Sequence, residues 1–166
     1  AKIEGQSNES IVHVLESFGG VKHRVQYVTT WNDRDFYNDS KATDIEATQV
    51  ALRSFTKPIV LIAGGLDRGY TFEKLEADFK AHVKAIILVG QTSSLLAETA
   101  KNAGVPVIEF AHKVLDAVPL AYKASDAGDV VLLSPANASW DQYKTFEVRG
   151  DEFINAVQTL QNGKKA

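Results

Sequence analysis

The chain has 166 residues, 45% of them hydrophobic and 23% charged, which is typical of one globular domain. Its net charge of −3, with both signs interspersed, disfavours nucleic acid or an anionic membrane surface as a partner. The absence of cysteine and the spacing of the four histidines predict no metal site in this chain, and the lack of a signal peptide or an apolar span predicts a cytoplasmic protein.

The first 20 residues predict one amphipathic helix with no strand before it. Ser7 or Asn8 can cap this helix, and Gly19-Gly20 ends it. Its apolar stripe is formed by Ile11, Val14, Leu15 and Phe18. Because the partner of this stripe would precede residue 1, we interpret the chain as an excerpt from a longer protein, with a domain boundary near residues 19–23.

From residue 21 onward the pattern alternates strands with helices. Residues 21–30 and 36–37 predict a hairpin around a polar turn at residues 31–35, and residues 43–55 predict a helix. Two apolar runs, residues 59–63 and 85–90, are typical of strands buried on both faces. Residues 105–110 predict a short third strand, and residues 129–134 predict a fourth. Helical segments follow each run, which predicts an α/β fold: a mostly parallel sheet with helices on both faces and an N-terminal hairpin.

A polar stretch, Asn38-Asp39-Ser40-Lys41, follows the hairpin and lies at a predicted helix start. Thr43 and Glu46 have the spacing of a capping box. Backbone N–H groups and the helix dipole favour an anion at such a position, and Lys41 adds positive charge. The alternative is that these residues only form a turn and a cap, with Lys41 solvated. Local sequence leaves both interpretations open.

Ligands of open parallel sheets bind beyond the carboxyl ends of the strands, and two polar loops follow buried strands directly. Residues 64–69 contain three glycines and Arg68, which can clamp a carboxylate or remain solvated. Residues 134–142 contain Ser139, which with Gln142 has capping-box spacing and is predicted to open a helical turn. Residues 149–151, Arg-Gly-Asp, are interpreted as a helix start.

Three motifs in this order resemble the Mur ligase family of peptidoglycan synthesis, in its branch that adds D-glutamate. The motifs are FYNDSKAT at residues 36–43, AGGLDRG at 63–69, and LLSPANASWDQYKTFE at 132–147 followed by RGD at 149–151. The resemblance implies that residues 21–166 are the C-terminal, Rossmann-like, amino-acid-binding domain. Residues 1–20 would then contain the last helix of the preceding ATPase domain and the connection.

The reaction implied by the resemblance is ATP-dependent amide-bond formation between UDP-N-acetylmuramoyl-L-alanine and D-glutamate, through an acyl phosphate and a tetrahedral intermediate. The phosphate loop and the ligands of Mg²⁺ would lie outside this chain, so the chain alone is expected to be inactive. The resemblance assigns Arg24, Asn38 and Asp39 to the nucleotide, and Lys41 to charge neutralisation at the transferring phosphate.

D-glutamate has two carboxylates, and the resemblance implies one group of residues for each. Thr43 and Arg68 would hold one carboxylate. Ser139 and the backbone around Trp140 and Phe146 would hold the other. The family further implies a monomer. A function from a different class stays open at this point, namely a stand-alone module that binds an anion or nucleotide without catalysis.

Overall fold

The computed structural model describes residues 20–163, so the helix predicted over residues 8–18 lies outside the described residues. The strands are β1 Gln26–Trp31, β2 Arg34–Asn38, β3 Ile59–Ala63, β4 Val83–Leu88, β5 Val107–Phe110 and β6 Val130–Leu133. The α-helices are α1 Ile45–Arg53, α2 Glu76–His82, α3 Ser93–Asn102, α4 Val114–Ala124 and α5 Phe146–Gly163, and a 3-10 turn, Glu73–Leu75, precedes α2.

All six strands form one sheet in the order β1-β2-β6-β3-β4-β5. β1 and β2 pair antiparallel, while β2, β6, β3, β4 and β5 are parallel neighbours. The hairpin turn contains only Asn32 and Asp33, with φ of 48° and 58°, because left-handed residues match the twist of a two-residue connection. The predicted α/β fold with an N-terminal hairpin is confirmed, although its turn is shorter than predicted.

Helices cover both faces of the sheet, and each face has its own hydrophobic core. Leu61 of β3 points to the core under α1, α2 and α3. Its neighbour Ile62 points to the core under α4 and α5. Because successive side chains of a strand alternate between faces, a strand covered on both sides must be apolar throughout, and all five residues of β3 are buried.

The cap of α1 differs from the sequence prediction. Asp44 is the N-cap, and its Oδ1 accepts a hydrogen bond of 2.8 Å from the backbone N–H of Ala47. The predicted capping box of Thr43 and Glu46 is therefore wrong. Thr43 and Asp44 are adjacent residues that can both cap, and the carboxylate of Asp44 also favours the positive end of the helix dipole.

The segment after β6 also differs from the prediction. The backbone N–H groups of Gln142 and Tyr143 bond to the carbonyl of Ser139, which forms the single turn predicted there, and no helix continues from it. The amide of Gln142 donates to the carbonyl of His112 instead of completing a capping box. The last helix begins at Phe146, and Arg149 lies inside it. The predicted helix start at residues 149–151 is therefore wrong.

Candidate functional site

Three loops meet at the carboxyl ends of β3, β4 and β6, where the sequence predicted a site. Backbone hydrogen bonds join them: the N–H of Gly64 donates to Pro135, that of Leu66 to Ala138, and that of Thr92 to Gly65. The glycine loop after β3 is thus held between the loops after β4 and β6. A Cβ on Gly64 would lie 2.0 Å from the carbonyl oxygen of Val89, so only glycine allows this approach.

Arg149 is the most unusual residue of this region, because its side chain is 1% exposed and forms no ion pair with any described residue. Its Nε donates to Ser40 Oγ at 3.0 Å. Its Nη2 donates to the carbonyls of Ser40 at 2.9 Å and Asn137 at 3.0 Å. Burial lowers the pKa of Arg149 to about 10, so the guanidinium stays charged at neutral pH.

Sequence reasoning missed Arg149, although a signal was present. Arg149, Phe153 and Val157 are spaced by four residues, and all three lie on the buried face of α5. The helical period therefore placed an arginine in the buried stripe, where a charged residue is found only with partners.

Asn38 was predicted to contact the nucleotide, and the structure buries it completely. Its Nδ2 donates to His23 Nδ1 at 2.9 Å and to the carbonyl of Gly150 at 3.3 Å, while its Oδ1 accepts from the N–H of Ser40 at 3.1 Å. A Cβ on Gly150 would lie 2.2 Å from His23 Nδ1, so a glycine is needed where α5 passes the histidine. Asn38 thus joins His23, α5 and the turn of residues 38–43 after β2, which is the polar turn of the site.

His23 is 2% exposed and has a left-handed φ of 63°. An amide nitrogen only donates, so His23 Nδ1 accepts from Asn38 and the proton of the neutral ring lies on Nε2. Nε2 has no hydrogen-bond partner within residues 20–163, and the Asp151 carboxylate is 3.8 Å away. Burial, and then the charge of Lys22, lower the pKa of His23, so the ring is neutral at physiological pH.

Asp39 was also predicted to contact the nucleotide, and its carboxylate is occupied inside the domain. Oδ1 accepts from the N–H of Val25 at 3.1 Å, and Oδ2 accepts from Ser134 Oγ at 2.8 Å. Burial raises the pKa of Asp39, while these hydrogen bonds and the charge of exposed Arg24 act in the opposite direction. Nucleotide contact by Arg24, Asn38 and Asp39 stays a prediction.

Lys41 and Phe146 lie together, with Lys41 Nζ 5.8 Å from the centre of the aromatic ring. Ser40 Oγ donates to the carbonyl of Phe146 at 2.7 Å, which ties the polar turn to the start of α5. Thr43 is half-buried, and its hydroxyl is free of the predicted capping role because Asp44 performs it. The polar turn thus presents Lys41 beside Phe146.

Ser139 is 2% exposed, and its Oγ has no hydrogen-bond partner among the described residues. Trp140 beside it is 68% exposed, which is unusual for so large an apolar side chain. Arg68 is exposed and its guanidinium lies 5.3 Å from the ring centre of Tyr70. The bond from Leu66 to Ala138 brings the loop of Arg68 beside the loop of Ser139.

A cleft of about 510 Å³ separates the start of α1 from the loop that follows Arg68. Its lining contains three carboxylates, those of Asp44, Glu46 and Glu73. Lys74 is the one basic residue of this lining. An acidic lining disfavours a dicarboxylate, so D-glutamate is not assigned to the cleft itself. Within residues 20–163, no group of three or more His, Asp or Glu side chains could hold a metal, and no helix is long and apolar enough to cross a membrane.

Solved structures of known proteins share this fold. UDP-N-acetylmuramate-alanine ligase MurC from Thermotoga maritima matches 95% of this chain and 35% of its own, with a TM-score of 0.64 at 14% identity. A MurF ligase from the same organism, solved in complex with ADP, matches 99% of this chain and 36% of its own, with a TM-score of 0.61 at 14% identity. At such identities the likeness concerns the fold alone.

Sequence relatives are much closer. The UDP-N-acetylmuramoylalanine--D-glutamate ligase of Latilactobacillus sakei is 64% identical over 160 residues, which are 96% of this chain and 35% of that protein. The enzyme of the same name from Bacillus mycoides is 61% identical over the same shares. The chain therefore spans about a third of the length of the curated relatives it matches. Residues 23–137 match the family model described as "Mur ligase, glutamate ligase domain", and the chain belongs to the Mur ligase family.

Proposed function

We propose that this chain is the amino-acid-binding part of a longer ATP-dependent ligase that adds D-glutamate to UDP-N-acetylmuramoyl-L-alanine. The observation that carries this proposal is the 64% identity, across nearly the whole chain, to a protein named for that reaction. The geometry supports it, because the three motif segments meet at one edge of the sheet. The division into an ATPase-domain end at residues 1–20 and a C-terminal domain at residues 21–166 belongs to the same proposal.

In the proposed reaction, ATP transfers its terminal phosphate to the substrate carboxylate. The amine of D-glutamate attacks the acyl phosphate, and inorganic phosphate leaves from the tetrahedral intermediate. Such chemistry depends on positioning and charge stabilisation more than on a covalent catalyst. Lys41 is the proposed source of positive charge beside the phosphate, since it is partly exposed and its ammonium group lies beside Phe146. Exposed Arg24 is the proposed nucleotide contact.

The proposed D-glutamate site uses groups that the fold leaves available. Thr43 and Arg68 would hold one carboxylate, because the hydroxyl is not used as a cap and the guanidinium is exposed. Ser139, whose hydroxyl has no partner in residues 20–163, would donate to the other, together with backbone N–H groups near Trp140 and Phe146. Asn38 and Asp39 would act inside the domain, by holding the polar turn in place.

Mg²⁺ is expected to accompany ATP in the longer protein, and the residues described here do not form a site for it. We therefore assign no metal ligand to residues 20–163.

The test is ADP release by the full-length ligase that contains this chain. Turnover is expected to require both UDP-N-acetylmuramoyl-L-alanine and D-glutamate, with L-glutamate and D-aspartate as matched controls. Turnover with a different amino acid, or none with D-glutamate, would refute the proposed substrate. If the full-length protein had no ligase activity and this chain alone bound nucleotide or phosphate, the binding-module alternative would replace the proposal.

A further inference from the structure

Arg149 is a buried cation with no ion-pair partner among residues 20–163, and none of the proposed roles of the site residues explains this charge. A fully buried cation normally faces an anion, since burial removes the stabilisation that water provides. Within residues 20–163, however, Arg149 bonds only to a hydroxyl and two carbonyls, and its Nη1 is buried without a partner. Apolar residues would fill the same space at a lower cost in solvation. Its position therefore calls for a reason beyond packing.

The hydrogen bonds of Arg149 connect two segments that are far apart in the sequence, one around Ser40 and one around Asn137. Ser40 immediately precedes Lys41 and lies three residues before Thr43. Asn137 lies two residues before Ser139. One nitrogen, Nη2, donates to the carbonyls of both Ser40 and Asn137.

The guanidinium group is planar and rigid, so bonds from one nitrogen to two carbonyls fix the distance between those carbonyls. The same side chain is fixed along its length, because Nε donates to Ser40 Oγ, which in turn donates to the carbonyl of Phe146. Arg149 thus holds the polar turn, the loop after β6 and the first turn of α5 in one arrangement. A lysine, with one mobile ammonium group, could not hold all of these acceptors.

We propose that Arg149 is a positioning residue that sets the separation between the two ends of the D-glutamate site, by holding the segment of Thr43 and the segment of Ser139 at a fixed distance. This inference rests on the proposed function. D-glutamate presents two carboxylates on one short chain, so a site that meets both must keep its two ends at matched separation. Arg149 does not touch the substrate, and it acts through Ser40 and Asn137.

A double-mutant cycle in the full-length ligase tests this inference. The variants are Ser139→Ala, Arg149→Met and the double variant, and the quantity measured is KM for D-glutamate. If Arg149 positions Ser139, removing the arginine already abolishes the contact between the serine hydroxyl and the carboxylate of D-glutamate. We expect Arg149→Met to raise KM by about tenfold or more, and Ser139→Ala to raise it by less than about twofold further in that background.

Arg53→Met is the matched control, because it removes an arginine that bonds to buried Asp78 at the other end of α1. It should lower stability, and the effect of Ser139→Ala should persist fully in its background. Arg149→Lys serves if Arg149→Met does not fold, since it keeps the charge and loses the bridging geometry; the same loss of coupling is expected.

Two results would overturn the inference. One is a lower urea midpoint for the Arg149 variants with KM for D-glutamate unchanged, which is the behaviour of a residue that only stabilises the fold. The other is an undiminished effect of Ser139→Ala in the Arg149 backgrounds. Failure of the proposed function is distinguishable, because it would be seen as the absence of D-glutamate-dependent turnover in the unmodified enzyme.

Discussion

Gly64→Ala should destabilise the domain strongly, because Gly64 lies where the loops after β3, β4 and β6 are bonded together. Its φ is 116°, a conformation that residues with a Cβ rarely adopt. The added methyl group would also lie 2.0 Å from the carbonyl oxygen of Val89, and its next contacts are the carbonyl carbon and nitrogen of the same residue. These are backbone atoms at the end of a central strand, so they cannot move aside as a flexible side chain could.

The expected cost has two parts. Backbone strain at an unfavourable φ costs about 1–3 kcal/mol. Overpacking against a fixed neighbour costs about 1–3 kcal/mol more. The sum of about 2–6 kcal/mol is a large part of the 5–15 kcal/mol that typically stabilises a domain. Gly104→Ala is the matched control, because Gly104 has a φ of 78° and open space around its missing Cβ. It should show the strain alone.

Urea unfolding of the chain, followed by circular dichroism, measures both variants. Gly64→Ala should lower the free energy of unfolding by about 1–3 kcal/mol more than Gly104→Ala, with similar m-values. Equal losses for the two variants would refute the reasoning, since they would mean that the carbonyl of Val89 gives way without cost.

Three further predictions concern the site. In the full-length ligase, Arg68→Ala should raise KM for D-glutamate more than Ser139→Ala does. The reason is that a charged hydrogen bond contributes about 1.5–3 kcal/mol and a neutral one about 0.5–1.5 kcal/mol. If Arg68→Ala raised only KM for ATP, Arg68 would belong to the phosphate side of the site. Because burial lowers the pKa of His23, its contribution to stability is complete above the unfolded value of about 6.5 and is lost as pH falls from there through the lower pKa of the folded state. The free energies of unfolding at about pH 7.5 and pH 5.5 should therefore differ less in His23→Gln than in the unmodified chain. The 166-residue chain alone should neither hydrolyse ATP nor form the amide, and phosphate release that Lys41→Ala abolishes would contradict this.

The sequence alone determined the fold class, the hairpin and the buried strands. Local patterns are sufficient for these features, because a strand covered on both faces must be apolar throughout, as residues 59–63 are. The motifs that resembled the Mur ligases were also local, and the family model confirmed the resemblance. Because two polar loops follow buried strands directly, the sequence also predicted that they lie at one edge of the sheet.

Only the tertiary structure decided which polar residues face inward. Asn38 and Asp39 were predicted to contact the nucleotide, and Arg149 was predicted to start a helix, since charged and amide side chains are usually exposed. Their burial depends on partners from other parts of the chain: Gly150 for Asn38, Ser134 for Asp39, and Ser40 for Arg149. The choice between Thr43 and Asp44 as the cap of α1 was likewise open in the sequence. A hydrogen bond between residues about a hundred positions apart has no local signature, so the interior of this site became visible only when the sheet brought its loops together.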